Sequence, residues 1–153
     1  MDFLLEDFGV FGDLKAIIWK KKEYNYFWLL ERVSYWKKEF TNQNLSSGSI
    51  VALEGDYTPE SIACFFALTV NNCIIVPQIY SNRKNIGEKY RIAEVQFIVQ
   101  VDQFDNVEIR KQYNIPSHKL TKQIIKRGSP GLILFSSGTS GKPKGAVHDF
   151  AKL

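Results

Sequence analysis

Cysteine and histidine are both scarce in this 153-residue chain, with two of each. Cys64 and Cys73 stand at a spacing that fits no zinc pattern, and no second Cys or His pair completes one. Both lie among apolar residues, which reads as reduced core thiols in a reducing, cytoplasmic setting. The N-terminus has neither the basic region nor the long apolar stretch of a signal peptide. The most apolar stretch, 62–80, is broken by Asn71, Asn72 and Pro77, which argues against a membrane span. Internal repeats and low-complexity segments are absent. Charge of one sign is also in short supply. The net +4 comes from brief lysine runs at Lys20–Lys22, Lys37–Lys38 and Lys122–Arg127. Their spacing does not gather them on one face, so solvated helix faces and turns are expected, and no nucleic acid.

What the chain does have is a globular balance, 44% apolar against 24% charged, enough for one domain with a sizeable core. Its aromatic content of 14% suits either a rich core or a surface meant for another part of the molecule. Strand-like and helix-like segments alternate along it. Ala16–Trp19 is a short apolar run. Asn25 can cap a helix in which Tyr26, Leu29, Val33, Trp36 and Phe40 recur at steps of three and four. Ile50–Leu53 is a buried strand. Thr58-Pro59-Glu60 combines a cap, a proline suited to the first helical position and an acid at the positive end of the dipole. The helix it opens is apolar nearly all round. Cys73–Pro77 reads as a strand, Asn85–Val95 as a polar helix and Phe97–Val101 as a strand. A short strand is expected near Val107–Ile109 and a helix near Leu120–Ile125. Gly131–Phe135 is a last apolar strand. The alternation predicts an α/β fold, a mainly parallel sheet flanked by helices. Ligands of such sheets bind beyond the carboxyl ends of the strands.

At the end of Gly131–Phe135 comes Ser136-Ser137-Gly138-Thr139-Ser140-Gly141-Lys142-Pro143-Lys144-Gly145. Glycines at 138, 141 and 145 permit positive φ and close approach of the backbone to a ligand. Successive N–H groups of such a turn can cradle an anion. Four hydroxyls and two lysines add donors and charge, and no carboxylate occurs between Gly131 and Val147. The composition suits a polyphosphate. It is not a Walker A loop, because Gly141-Lys142 is followed by Pro143 and Ser136 stands where the first glycine belongs. Nor is it the dinucleotide fingerprint, whose first glycine is likewise replaced by Ser136.

Ser136–Gly145 resembles, at every position, the signature Thr/Ser-Ser/Thr-Gly-Thr/Ser-Thr/Ser-Gly-x-Pro-Lys-Gly of the adenylate-forming superfamily. That superfamily comprises acyl- and aryl-CoA synthetases, luciferases and the adenylation domains of peptide synthetases. Phe135 before it and Ala146-Val147-His148 after it look alike too. More loosely, Tyr26–Phe40 is similar to an early helix of that family, Gly48–Leu53 to its Gly-Asp-x-Val-Ala-Leu strand, and Pro59-Glu60 and Ile75–Pro77 follow in the same order. The resemblance implies that residues 1–153 form part of the large N-terminal, AMP-binding domain, ending just after the loop at 136–145. It implies ATP and Mg²⁺ as cofactors, and an acid converted to an acyl-adenylate and then passed to a thiol of CoA or a carrier protein. Ser137, Gly138, Thr139, Ser140, Gly141, Lys144 and Gly145 would hold the β- and γ-phosphates. Lys142 joins them from a position that varies in the family, and Ser136 matches a hydroxyl that can lie near the metal.

His118 is read as a surface residue and His148 as either a structural residue or a substrate contact, and no residue is assigned a catalytic role. The sequence holds no Tyr-Gly-x-Thr-Glu segment, no later ribose-binding Asp and no C-terminal domain with its lysine. The chain is therefore expected to be an N-terminal piece of a longer ligase, inactive alone, with apolar faces that favour self-association. A stand-alone anion-binding or protein-interaction module is the alternative. The acid itself is not legible.

Overall fold

The computed structural model describes residues 2–79, 85–137 and 142–152. Helix α1 (Asp2–Phe11) and a hairpin of β1 (Lys15–Trp19) and β2 (Lys22–Asn25) precede α2 (Tyr26–Asn42). Then follow β3 (Ile50–Glu54), α3 (Pro59–Val70), β4 (Ile74–Gln78), α4 (Ile86–Ala93) and β5 (Phe97–Val101). The chain continues through β6 (Val107–Lys111), α5 (Lys119–Arg127), β7 (Gly131–Ser137) and β8 (Pro143–Asp149) to a short 3₁₀ turn, Phe150–Lys152.

Local signals explain most boundaries. The Asn25 side chain accepts the Trp28 N–H and starts α2, and Thr58 accepts the Ser61 N–H ahead of Pro59 and starts α3. Each satisfies one of the orphan donors of a first helical turn. His118 does the same for α5, its Nδ1 accepting the Leu120 N–H. Gly128, at φ +62, ends α5 in the left-handed conformation that glycine adopts without strain.

Six strands form one sheet in the order β6-β5-β3-β4-β7-β8. The inner four run parallel, and the two edge strands are antiparallel to their neighbours. Side chains alternate between two apolar layers. Val51, Leu53, Ile75, Phe97 and Val99 pack against α2 and α3. Ile50, Ala52, Ile74, Val76, Ile98 and Ile133 pack with Ala93 and Ile124 of α4 and α5. Both cysteines are free and buried in the first layer, as the sequence suggests. Burial pushes the Cys73 thiol up to about 12 and raises Cys64 well above the ordinary thiol value.

Two features departed from the pattern reading. Helix α1 and the β1–β2 hairpin carry weak signals, since the turn between β1 and β2 uses Lys20 and Lys21, both at positive φ, where Asn-Gly is the usual cue. Helix α1 packs through Leu5 and Phe8 on the α2–α3 layer, so tertiary contact organises it.

Candidate phosphate site at the carboxyl edge

Pro77 lies in an interior strand, where proline ordinarily costs a ladder bond. Here it costs none. Gln78 O accepts from Gly55 N on the β3 side, so the amide position of Pro77 faces β7. The β4–β7 ladder, however, ends after Ile74↔Gly131 and Ile75↔Leu132. Beyond Ile75 the two strands part, and a crevice opens at the carboxyl edge. Helix α3 leaves β3 on one face and α4 leaves β4 on the other, so a topological switch point, the kind of place where open α/β sheets bind ligands, lies one strand away between β3 and β4.

Beside the crevice stands the β7–β8 hairpin. Residues 136–145 were expected as a loop, but both flanks are paired strand. Ser136 pairs with Lys144, Phe135 with Gly145, and Ser137 with Pro143 at the first position of β8. A proline is tolerated at such a strand start. Gly145 admits the Phe135 ring, since a Cβ there would come within 3.2 Å of Ile133 Cγ2 and 3.3 Å of Phe135 Cε1. Gly138, Thr139, Ser140 and Gly141 lie outside the described residues, as does the Ser137 side chain. Ser136, Lys142, Lys144 and Gly145 are exposed around them. The structure thus brings Ser136 and Lys144 together as cross-strand neighbours and puts an exposed Lys142 immediately before β8.

The alternation along β7 sends Leu132, Leu134 and Ser136 to the α2–α3 side, because Leu132 packs with that layer and Ile133 with the other. Their partners His148, Ala146 and Lys144 share that side. His148 therefore lies four residues from Lys144, toward the base of the hairpin. The base is fastened by Asp149. Its Oδ1 accepts from Ser129 Oγ at 2.8 Å, and its Oδ2 lies 2.6 Å from Arg127 Nη1. The Ser129 hydroxyl, then the Arg127 guanidinium, hold the Asp149 carboxyl below the usual carboxylate range.

On the opposite face, a polar row crosses the strand ends. Glu54 is in register with Gln78 on one side and Gln100 on the other. Tyr90 Oη donates to Glu54 Oε1 at 2.6 Å, Lys89 Nζ to Gln78 Oε1 at 2.9 Å, and Arg110 Nη2 to Gln100 Oε1 at 2.5 Å. The row latches α4 and β6 to the edge. Pattern reading missed it, although a signal was present, since β3 closes on Glu54, β4 on Gln78, and β5 carries Gln100 next to its last residue.

Magnesium prefers an octahedron of oxygens, usually one or two carboxylates with waters and substrate phosphates. Ser136 offers one neutral hydroxyl beside the Lys144 ammonium. No group of three or more His, Cys, Asp and Glu among the described residues could hold a metal. These side chains do not by themselves make a magnesium site, and an ion here would have to arrive on phosphates.

A crotonobetaine/carnitine–CoA ligase of Salmonella agona (strain SL483) is 28% identical, covering 91% of this chain and 34% of the ligase. The N-terminal subdomain of Klebsiella oxytoca NpsA, in complex with 3-hydroxyanthranilyl-AMSN, matches with TM-score 0.73 and 22% identity over 95% of this chain and 39% of its own. NpsA within an artificially fused adenylation–PCP di-domain matches equally, with TM-score 0.73 and 23% identity, over 95% and 31%. The chain is therefore similar to the N-terminal portion of an adenylate-forming, AMP-binding enzyme, with whose N-terminal subdomain it shares its fold. VinN in complex with 3-methylaspartate has the same fold at TM-score 0.70 and 13% identity, over 95% of this chain and 46% of its own. No family model matches the chain. It spans about a third of the length of the curated CoA ligase it matches. No helix among the described residues is long and apolar enough to cross a membrane.

Proposed function

We propose that this chain supplies the polyphosphate-binding wall of the ATP site in a carboxylate-activating ligase. The observation that carries the reading is the β7–β8 hairpin. Its paired flanks, Ser136–Ser137 and Pro143–Gly145, carry the two ends of the ten-residue signature to the carboxyl edge, beside the point where β4 and β7 part, with Ser136 and Lys144 facing the same side. In the reaction this implies, an oxygen of the acid bonds to the α-phosphorus of ATP as the α–β bridge breaks. The products are an acyl-adenylate and pyrophosphate. A thiol of CoA or a carrier protein then takes the acyl group and AMP leaves.

The hairpin's part is to hold charge in place. Lys144 and Lys142, with the hydroxyls of Ser136, Ser137, Thr139 and Ser140, would neutralise the β- and γ-phosphate oxygens, where negative charge grows as pyrophosphate departs. The N–H groups of Gly138, Gly141 and Gly145 are suited to the same anion. Magnesium would enter with the nucleotide and meet Ser136 only as part of that complex.

On this reading the 153-residue chain binds nucleotide without turning it over, and the acid, the thiol and the rest of the site belong to a whole ligase in the cytoplasm. Equilibrium dialysis against Mg-ATP, paired with a carboxylate-dependent ATP–pyrophosphate exchange assay, tests it. Retention of Mg-ATP without exchange is expected. Failure to retain Mg-ATP would leave an interaction module and overturn the proposal.

A further inference from the structure

We propose that the amino edge of the sheet, opposite the β7–β8 hairpin tip, docks on an anionic membrane surface. Helix α5 lies across that edge. At its start the His118 N–H donates to Glu94, which ends α4. Further along, Ile125 meets Gly48 ahead of β3, and Ile124 meets Gly131 at the start of β7. Thr121 and Ile124 form its buried side. Lys119, Lys122 and Lys126 recur at steps of three and four on the side turned away from them, and all three are exposed. No Asp or Glu occurs between Glu108 and Asp149. Among the described residues no ion pair neutralises these three lysines.

The segment leading into α5 adds apolar side chains to the same end. Tyr113 and Ile115 are 94% and 85% exposed, and Leu120 is 48% exposed. Their backbone is nevertheless fastened. The Gln112 N–H donates to Gln96 O at 2.7 Å and Asn114 Nδ2 to Val95 O at 2.6 Å, both just ahead of β5. The Ser117 N–H and hydroxyl and the His118 N–H all donate to the Glu94 carboxylate, so the acid that borders the basic stripe is already engaged. Two large apolar side chains are thus held outward beside unpaired lysines. A tyrosine and an isoleucine can enter the boundary between headgroups and acyl chains while the ammonium groups meet anionic headgroups. A protein partner would call for a groove or pocket, yet no residue from 111 to 127 lines the cavities at the carboxyl edge, at the β1–β2 hairpin or beside Trp19. Projecting side chains suit a fluid surface that moulds to them. The five residues of β3, about 17 Å of strand, separate this edge from the carboxyl edge, so docking leaves the hairpin open to solution.

Sedimentation of the 153-residue chain with vesicles of phosphatidylcholine, alone or with about a third phosphatidylserine, tests the proposal. Binding is expected to be at least tenfold tighter to the anionic vesicles and weaker at raised salt. A lysine at such a surface contributes roughly fivefold. Lys122→Glu/Lys126→Glu should therefore lose at least tenfold, whereas Lys37→Glu/Lys38→Glu on α2, an equal change in net charge at exposed positions, should lose less than threefold. Tyr113→Ser/Ile115→Ser should lose severalfold with an unchanged urea midpoint, since neither side chain packs in the fold. Equal loss in the α2 variant would reveal diffuse charge attraction and overturn the proposal, as would equal binding to both vesicles or to neither. Binding to poly-glutamate that exceeds binding to vesicles and ignores Tyr113→Ser/Ile115→Ser would assign the stripe to an acidic protein and overturn it too. The hairpin is intact in every variant, so pyrophosphate binding should be the same in all.

Discussion

Replacing Asp149 by Ala should loosen the β7–β8 hairpin at its base. Three contacts disappear: the Ser129 hydroxyl at 2.8 Å, the Arg127 guanidinium at 2.6 Å and the Ala151 N–H at 3.0 Å. Arg127 is about half exposed, so its ion pair contributes under about 1 kcal/mol. Ser129 is buried, but its hydroxyl also lies 3.3 Å from Pro130 O, an alternative acceptor that limits its loss to about 1 kcal/mol. With the turn amide, the total is about 2 kcal/mol. Urea denaturation reads it directly, and hydrogen exchange at the Leu132 and Leu134 amides reports whether the strand loosens. Because the folded Asp149 carboxyl sits below its ordinary 3.8, its contribution is present above that value. It is lost as the pH falls through the lower, folded-state value. The stability gap between wild type and Asp149→Ala should therefore be full near neutral pH and close in strong acid. A gap under about 0.5 kcal/mol with unchanged exchange would refute the reasoning.

Two further expectations concern the α2–α3 layer. Glu60 lies 2.7 Å from Arg32 Nε and accepts from Trp36 Nε1 at 2.5 Å, with Arg32 stacked over Tyr35. Glu60→Ala strands a mostly buried guanidinium and an indole N–H, and should cost about 2–3 kcal/mol in urea melts, below the fully buried range because Arg32 keeps some exposure; a loss under about 1 kcal/mol would contradict that account. Cys64 and Cys73 should resist a thiol reagent at neutral pH until the chain is unfolded, since burial disfavours both thiolates. Rapid labelling of the native chain would show the layer to be open.

How much of this was legible beforehand depended on where the physics was local. Asn25, Thr58 and Pro59 announce their helices because caps act over three residues, and the 3.6-residue period of Leu29, Val33, Trp36 and Phe40 matches the face that is buried. The parallel core followed from the alternation of elements. The two antiparallel edges did not, because nothing in Val107–Lys111 or Pro143–Asp149 specifies the direction of pairing. The candidate site was read as a motif whose composition suits an anion. Its framing as a hairpin was hidden, since a Ser/Gly/Lys run looks like loop until cross-strand partners such as Phe135 and Gly145 are in contact. The polar row of Glu54, Gln78 and Gln100 was missed for a related reason, as its members are distant in sequence and meet only through strand register.

The central claim is that the β7–β8 hairpin binds a polyphosphate through Lys144. Titrating pyrophosphate and orthophosphate into wild type and Lys144→Ala tests it most directly. Lys144 is exposed, so removing its charge near a phosphate oxygen should cost about 1–1.5 kcal/mol, roughly tenfold in affinity. The account predicts that wild type prefers pyrophosphate to orthophosphate and that the variant loses about tenfold for pyrophosphate. Equal, weak binding of both anions to both proteins would contradict it.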